Sequence, residues 1–337
     1  MLRSPYCDAI ILGGAQLGLR YGITGGRFLS REVFFELLDK AYHLGYRSWD
    51  MAQAYGCAEV RAAFWRCSRN YPDMAFGSKI QLPQTDPEAL RAAQQRLRRS
   101  RRYLAPHSGL AYVLLHSHGA ENPTAQLRAL QGLCRDNHHL RPHINNRPNN
   151  RPGEKIGLSL YYPRELEALF RSQERGDCPS IDVLQIPYNF ADRRFEPYFG
   201  QLSRMGIELQ LRSIYLQGLL FSGPTDLEHF NSGFFRPLKP LLQALAEPEA
   251  QGLQRQDVLL YFALQQAEHF APGKLRLVLG VSGGTELLQL HHSLQRIASW
   301  PEDLRREIKQ QQQIKDPALW PEENILVPAL WPSIRQN

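Results

Sequence analysis

Short apolar runs alternate with amphipathic helical stretches eight times along this chain, and that alternation restricts the fold more than any other feature. The strand-like runs lie at 9–13, 47–52, 75–81, 110–116, 155–160, 181–186, 207–213 and 275–281. Helical stretches follow at 31–44, 58–69, 87–104, 124–134, 163–175 and 192–205, then at 237–247 and 255–269, and last at 284–297. In the first of these, Val33, Phe34, Leu37, Leu38 and Ala41 recur at helical period, Ser30 offers an N-cap and Gly45 a stop. Alternation of this kind predicts an α/β fold with a parallel sheet inside and helices outside. Eight units fit a single closed (β/α)8 TIM barrel over residues 1–300 better than an open doubly wound sheet, which stands as the alternative. The open sheet expects G-x-G-x-x-G after the first strand, whereas Leu12-Gly-Gly-Ala-Gln-Leu-Gly spaces its glycines differently. Residues 301–337 read as a C-terminal extension that packs on the barrel or on a partner subunit.

Composition narrows the function classes. Hydrophobic content of 43% supports a core, and no apolar run approaches the ~20 residues that span a bilayer. Nothing at the N-terminus reads as a secretory leader, and the five scattered cysteines show no disulfide or metal spacing. The expectation is a cytoplasmic protein with reduced thiols; Cys57, two residues from Tyr55, reads as a small buried side chain after a turn, with a thiol nucleophile as the alternative. The net charge of +7 is carried by arginine: 40 basic residues less seven Lys leave 33 Arg. Their densest cluster, Arg91, Arg96, Arg98, Arg99, Arg101 and Arg102, lies opposite an apolar stripe of Leu90, Ala93, Leu97 and Leu104, so it reads as the solvated face of a helix. No aromatics interleave with it, and neither nucleic acid nor membrane is an expected partner. The quaternary expectation is a monomer or weak homo-oligomer.

Two segments depart from the plan. Residues 135–153 are rich in Asn, Arg, Pro and His and read as a mobile surface loop. Its His138, His139 and His143 lack an acidic or Cys partner, so no metal site is expected. The run Gln310 to Gln313 reads as the solvated part of a helix, and Ile325 to Trp331 as an apolar end that packs back.

The chemistry-bearing residues stand at strand ends. Asp50 ends the second run, Lys79 the third and His116 the fourth, with Tyr55 just after the second. Active sites of such barrels form at the C-terminal strand ends. A tyrosine in water has a pKa near ~10. A nearby ammonium stabilises the phenolate and lowers that value, and a carboxylate can hold the ammonium in place. Tyr55 then serves as general acid toward a carbonyl or general base toward an alcohol, with Lys79 and Asp50 tuning it and His116 orienting the carbonyl oxygen. No residue of the set attacks carbon, a gap that a hydride-supplying cofactor fills. The plainer alternative is a structural ion pair beside a loop aromatic.

These residues resemble the aldo-keto reductase superfamily. Trp49-Asp-Met-Ala-Gln-Ala-Tyr-Gly-Cys-Ala-Glu is similar to its Asp-Thr-Ala-x-x-Tyr-Gly-x-Glu element, and Gly77-Ser-Lys and Leu114-Leu-His match the other catalytic positions in order. The resemblance covers about residues 8 to 297 and runs on through Ile156-Gly-Leu-Ser, Leu184-Gln-Ile-Pro-Tyr-Asn, Arg212-Ser-Ile-Tyr-Leu-Gln-Gly-Leu-Leu and Val278-Leu-Gly-Val-Ser. The opening Leu12-Gly-Gly-Ala-Gln-Leu-Gly-Leu-Arg-Tyr-Gly-Ile is similar to a bacterial subgroup associated with surface polysaccharide and nucleotide-sugar pathways.

The resemblance implies NADP(H) or NAD(H) bound across the barrel mouth. Ser159 and Gln185 match the nicotinamide-carboxamide positions, with Gly14 and Asp50 at the same end. Leu160 stands where Asn is common. Arg212 stands where an aromatic stacks on the nicotinamide, and its planar guanidinium is suited to stack instead. Ser213, Ile214, Tyr215, Leu216 and Gly218 match the pyrophosphate loop. Gly280, Ser282, Glu286 and Gln289 match the adenosine end, where no Lys or Arg occurs between 280 and 287 to pair a 2′-phosphate. The implied activity is reduction of an aldehyde or ketone, or oxidation of the corresponding alcohol, on a small-molecule substrate such as a sugar derivative. The competing readings are a cofactor-binding regulatory or scaffold protein with little turnover, and a barrel isomerase or lyase that uses no cofactor.

Overall fold

The computed structural model describes residues 3–20, 28–83, 86–105, 109–116, 123–135, 154–177, 179–223, 225–229, 233–245, 248–249, 251–312 and 321–331. The loop expected at 135–153 falls outside these from 136 onward, and His138, His139, His143, Cys178 and Gln313 fall outside as well.

Eight parallel strands close on themselves in sequence order. They are β1 (Ile10–Gly13), β2 (Ser48–Asp50), β3 (Ala75–Ile80), β4 (Tyr112–His116), β5 (Lys155–Ser159), β6 (Val183–Pro187), β7 (Glu208–Arg212) and β8 (Leu275–Gly280). The ladder between β1 and β8, which pairs Ile10 with Leu277 and Gly13 with Gly280, shuts the sheet and rules out the open doubly wound arrangement. The main outer helices are α1 (Arg31–His43), α2 (Ala58–Cys67), α3 (Pro87–Leu104), α4 (Thr124–Arg135), α5 (Pro163–Glu174), α6 (Phe199–Arg204), α7 (Arg255–Leu264) and α8 (Gly284–Ser299). Ser30 caps α1, its Oγ accepting from the Val33 N–H at 3.2 Å. The stretches expected at 192–205, 237–247 and 255–269 each prove to be a 3-10 turn joined to a shorter α-helix, such as Glu196–Tyr198 running into α6. The sequence marks their polarity pattern but not the tightened turn, because both helices share side-chain spacing over one turn.

Strand alternation divides the apolar residues into two layers. Outward-facing Ile10, Leu12, Trp49, Phe76, Val113, Leu115, Leu184, Leu209 and Leu277 join the helices in the main core. Inside the barrel the apolar set is small: Ile11, Tyr112, Leu114, Val183 and Val278. Apart from Ala75 and Pro187 at the strand ends, the remaining inward positions are polar or glycine, so the barrel interior is a column of hydrogen-bonded side chains that leads up to the mouth.

The C-terminal residues that are described pack on the barrel. Helix α9 (Glu302–Gln311) buries Ile308, and Ile325, Leu326 and Val327 are buried beyond it. Glu323 accepts from Arg164 at 3.2 Å and from Arg194 at 3.1 Å, tying the tail to the segments after β5 and β6. Trp331 stands edge-on to Phe235. Gln312 corrects the solvated reading of the glutamine run: it is 3% exposed, its side-chain amide donating to Val258 O at 3.0 Å while its backbone carbonyl accepts from Arg193 at 2.8 Å. Cys57 is likewise corrected, being exposed at the N-cap of α2.

Candidate active site

Register and loop bonds bring the four strand-end residues to one mouth. Gly13 pairs with Asp50, Asp50 with Gly77, and His116 with Ser159, which in turn pairs with Gln185. Beyond β2 the chain stays pinned to β3, since Met51 N–H donates to Gly77 O at 2.9 Å and Gln53 N–H to Lys79 O at 3.1 Å. A turn closed by Tyr55 N–H to Ala52 O then presents Tyr55.

Asp50 and Lys79 form a buried ion pair, Lys79 Nζ donating to Asp50 Oδ2. The other oxygen, Oδ1, accepts from Tyr112 OH at 2.9 Å and from Gln185 Nε2 at 3.1 Å. Gln185 also donates to Gln210 Oε1 at 3.1 Å, Gln210 donates to Glu208 Oε1 at 2.9 Å, and Glu208 pairs with Lys155 at 2.5 Å. A continuous polar chain thus runs from the mouth to the opposite end of the barrel. Each buried polar group finds a partner in it, which a buried charge requires.

Lys79 Nζ lies 5.0 Å from the centre of the Tyr55 ring. Burial pulls the Lys79 ammonium down from its ordinary value, and Asp50 opposes that pull. Tyr55 is pushed well above the usual tyrosine range, first by burial and next by the charge of Asp50, with Arg212 acting the other way. The lowering that sequence reasoning expected from Lys79 is therefore not what this arrangement gives. The ammonium is neutralised by its own carboxylate, and desolvation dominates what the phenol feels.

His116 is buried at the end of β4 with its ring stacked toward Tyr161, the centroids 6.4 Å apart. Tyr161 is held by its backbone, since Glu165 at the start of α5 accepts from the Tyr161 and Tyr162 N–H groups at 2.8 and 2.9 Å. On its account Arg212 is already engaged: the guanidinium stacks on Tyr161 at 4.2 Å, donates to Leu160 O at 2.8 Å and to Ser213 Oγ at 3.1 Å. Ser159 Oγ donates to Gln185 Oε1 at 3.1 Å, joining both carboxamide-matching residues to the Asp50 network. Gly14 lies at the same rim, its N–H donating to Asp50 O at 2.8 Å.

The segment after β7 has unusual backbone. Ser213, Leu216 and Gln217 adopt φ of 61°, 46° and 55°, and Gly218 follows at 94°. Non-glycine residues with positive φ are uncommon and cluster at ligand sites. Ile214 and Leu216 are buried, so any ligand contact they make comes from backbone. At the end of β8, Gly280 and Gln289 are exposed, and Ser282 presents its N–H and Oγ to Glu286 at 2.8 and 2.5 Å.

Sequence reasoning missed three residues here. Tyr112 and Gln210 belong to the Asp50 network; their signal was the two-residue spacing that puts Tyr112 on the inward face of His116 and Gln210 on that of Arg212. Lys40 left no local signal. It comes from α1, and its Nζ lies 3.1 Å from where a Cβ on Gly284 would stand, bringing a cation to the start of α8.

No family model matches the chain, and no curated protein matches it. Solved structures do. A thermostable aldo-keto reductase, Tm1743, in complex with the inhibitor epalrestat is 21% identical, with a TM-score of 0.58 over 90% of this chain and 94% of that one. An aldo-keto reductase from Bacillus halodurans in its holo form is 16% identical, with a TM-score of 0.62 over 92% of this chain and 95% of that one. At such identities the likeness speaks for architecture, and it spans nearly the whole of each chain: this protein is a (β/α)8 barrel, the fold that these aldo-keto reductases share.

Proposed function

We propose that the chain is a nicotinamide-dependent oxidoreductase of the aldo-keto reductase type, which reduces an aldehyde or ketone or oxidises the corresponding alcohol. The observation that carries this reading is the buried Asp50–Lys79 pair beside Tyr55 and His116 at one barrel mouth. The fit of a nicotinamide dinucleotide rests on donor chemistry: the Ser159 hydroxyl and Gln185 amide suit a carboxamide, and the positive-φ run at 213–218 suits a phosphate. When bound, that group supplies the hydride. Tyr55 donates its proton to the substrate oxygen, and in the reverse direction takes it back. Asp50 fixes Lys79 beneath the phenol, and His116 orients the oxygen. Burial keeps Tyr55 protonated at neutral pH, the form a general acid requires. A sugar-derived carbonyl compound is the proposed substrate class. Free thiols at Cys7, Cys57, Cys67 and Cys134 suit a reducing cytoplasm, and among the described residues no helix is long and apolar enough to cross a membrane.

A second reading, a cofactor-binding regulatory protein with little turnover, draws on Leu160. It is fully buried and its side chain has no polar atom, while its N–H donates to Gln185 O and its oxygen is already taken by Arg212. Titration with NADPH and NADH, followed by fluorescence or thermal shift, tests both readings. No response to either nucleotide sinks both; binding without reduction of any aldehyde or ketone leaves the second.

The choice between nucleotide forms turns on two opposed charges near the start of α8, Glu286 and Lys40. Lys40→Ala is expected to weaken NADPH about tenfold and leave NADH unchanged, as loss of one phosphate-pairing cation does. Glu286→Gln is expected to strengthen NADPH selectively. Equal effects of either change on both nucleotides, measured as Kd, would place the 2′-phosphate elsewhere.

Position of the Tyr55 turn is also testable. A Cβ on Gly18 would lie 1.9 Å from Tyr55 O, so this close approach admits only glycine. Gly18→Ala is expected to displace the turn and lower kcat about a hundredfold, the scale of a misplacement near 1 Å. Steady-state kinetics alongside circular dichroism would check it, and an unimpaired kcat would separate Tyr55 from the chemistry.

A further inference from the structure

We propose that Tyr112 is a positioning residue for the reaction: its hydroxyl turns the Asp50 carboxylate so that Oδ2 meets Lys79, and Gly77 exists to seat its ring. The inference rests on the reductase reading above and adds a residue to it.

A carboxylate can rotate about its Cβ–Cγ bond unless both oxygens are held. Lys79 holds Oδ2, while Tyr112 OH at 2.9 Å and Gln185 Nε2 at 3.1 Å hold Oδ1. Gln185 gives Oδ1 only one of its two amide hydrogens, the other going to Gln210 Oε1, and its bond is the longer of the two on that oxygen. Tyr112 is 2% exposed and packs with Ile11, Leu114, Val183 and Val278, the apolar layer just beneath the mouth. A buried hydroxyl in such a layer is costly without a partner, and the Asp50 carboxylate satisfies it. The seat is specific: a Cβ on Gly77 would stand 2.0 Å from Tyr112 Cε2 and 2.1 Å from Cζ. Glycine on β3 and tyrosine on β4, paired across the ladder, are therefore one device.

The hydroxyl also moderates charge. Lys79, Tyr55, Tyr161 and Arg212 act on the Asp50 end of the site from above, while Arg276 and Glu208 act on Tyr112 from below. Asp50 raises the Tyr55 phenol, second only to burial. By donating to Oδ1, Tyr112 draws part of that negative charge away from Tyr55.

Tyr112→Phe keeps the ring and removes only the donor. At neutral pH kcat for carbonyl reduction should fall about tenfold, the scale of one hydrogen bond to a charged group. KM and the Kd for NAD(P)H should stay within about twofold, as neither ligand touches the hydroxyl in this scheme. The alkaline limb of the kcat profile should move to higher pH, because Tyr55 now meets the unshielded carboxylate. A second variant, Gly77→Ala, displaces the ring with the hydroxyl still present and should lower kcat likewise. The double variant Gly77→Ala, Tyr112→Leu should regain thermal stability but not kcat. A Tyr112→Phe enzyme with wild-type kcat and an unmoved limb overturns the inference while leaving the reductase reading in place. A wild-type protein that reduces no carbonyl with either nucleotide overturns both together.

Discussion

Tyr55→Phe is expected to lower carbonyl reduction by about 10²- to 10⁴-fold, the contribution of a general acid, with NAD(P)H affinity nearly unchanged. The loss corresponds to about 3–5 kcal/mol of transition-state stabilisation. The substitution removes one hydroxyl from a half-buried ring and leaves the Asp50–Lys79 pair intact, so a fall in binding would mean that Tyr55 contacts the nucleotide rather than the substrate oxygen. The same residue sets the pH dependence. Its phenol is pushed above the ordinary value near ~10, by burial first and then by Asp50. Reduction needs the protonated phenol, so its rate should hold through neutral and mildly alkaline pH and fall only as pH passes that raised value. Oxidation needs the phenolate and should rise across the same alkaline range. Reduction that falls with an apparent pKa below about 8 would show that a different group donates the proton, or that the filled site reverses the balance of burial and charge.

Asp50→Ala carries the largest expected effect on stability. It strands the Lys79 ammonium, which is 1% exposed, and removes the acceptor shared by Tyr112 and Gln185. Breaking a buried pair from one side costs about 3–5 kcal/mol. Urea unfolding at neutral pH would read this as a drop in midpoint with an unchanged slope. Removing both charges with apolar side chains, Asp50→Val together with Lys79→Met, should recover most of the loss because no uncompensated charge is left inside. A single variant that loses less than about 1 kcal/mol would mean that water reaches Lys79 and the pair is not dry. The double variant should be stable and inactive, which separates what the pair does for the fold from what it does for chemistry.

Much of this protein is legible in its sequence. The eight alternations gave the strands in their order, and each of Asp50, Lys79 and His116 does end a strand or lie next to its end. Period-two spacing told which residues of a strand share a face. Other features were not legible. Gln312 looks solvated in a run of glutamines, yet it is buried because its amide donates to Val258 O while Arg193 and Gln265 donate to its two oxygens. Cys57 looked like a buried turn residue, yet the start of α2 leaves it exposed. Lys40 comes from a helix whose own pattern says nothing about the start of α8.

The division has a physical cause. The sequence by itself determined the element order, the barrel count and the identity of the polar residues at the strand ends, because helix and strand periods follow from local covalent geometry. Only the tertiary structure decided that the sheet closes through β1 and β8, that Asp50 is shared by Lys79, Tyr112 and Gln185, and that burial outweighs Lys79 at the Tyr55 phenol. Those outcomes depend on distances and desolvation among residues far apart in the chain, Asp50 and Gln185 being 135 positions apart and the paired Ile10 and Leu277 farther still, and no local pattern encodes them.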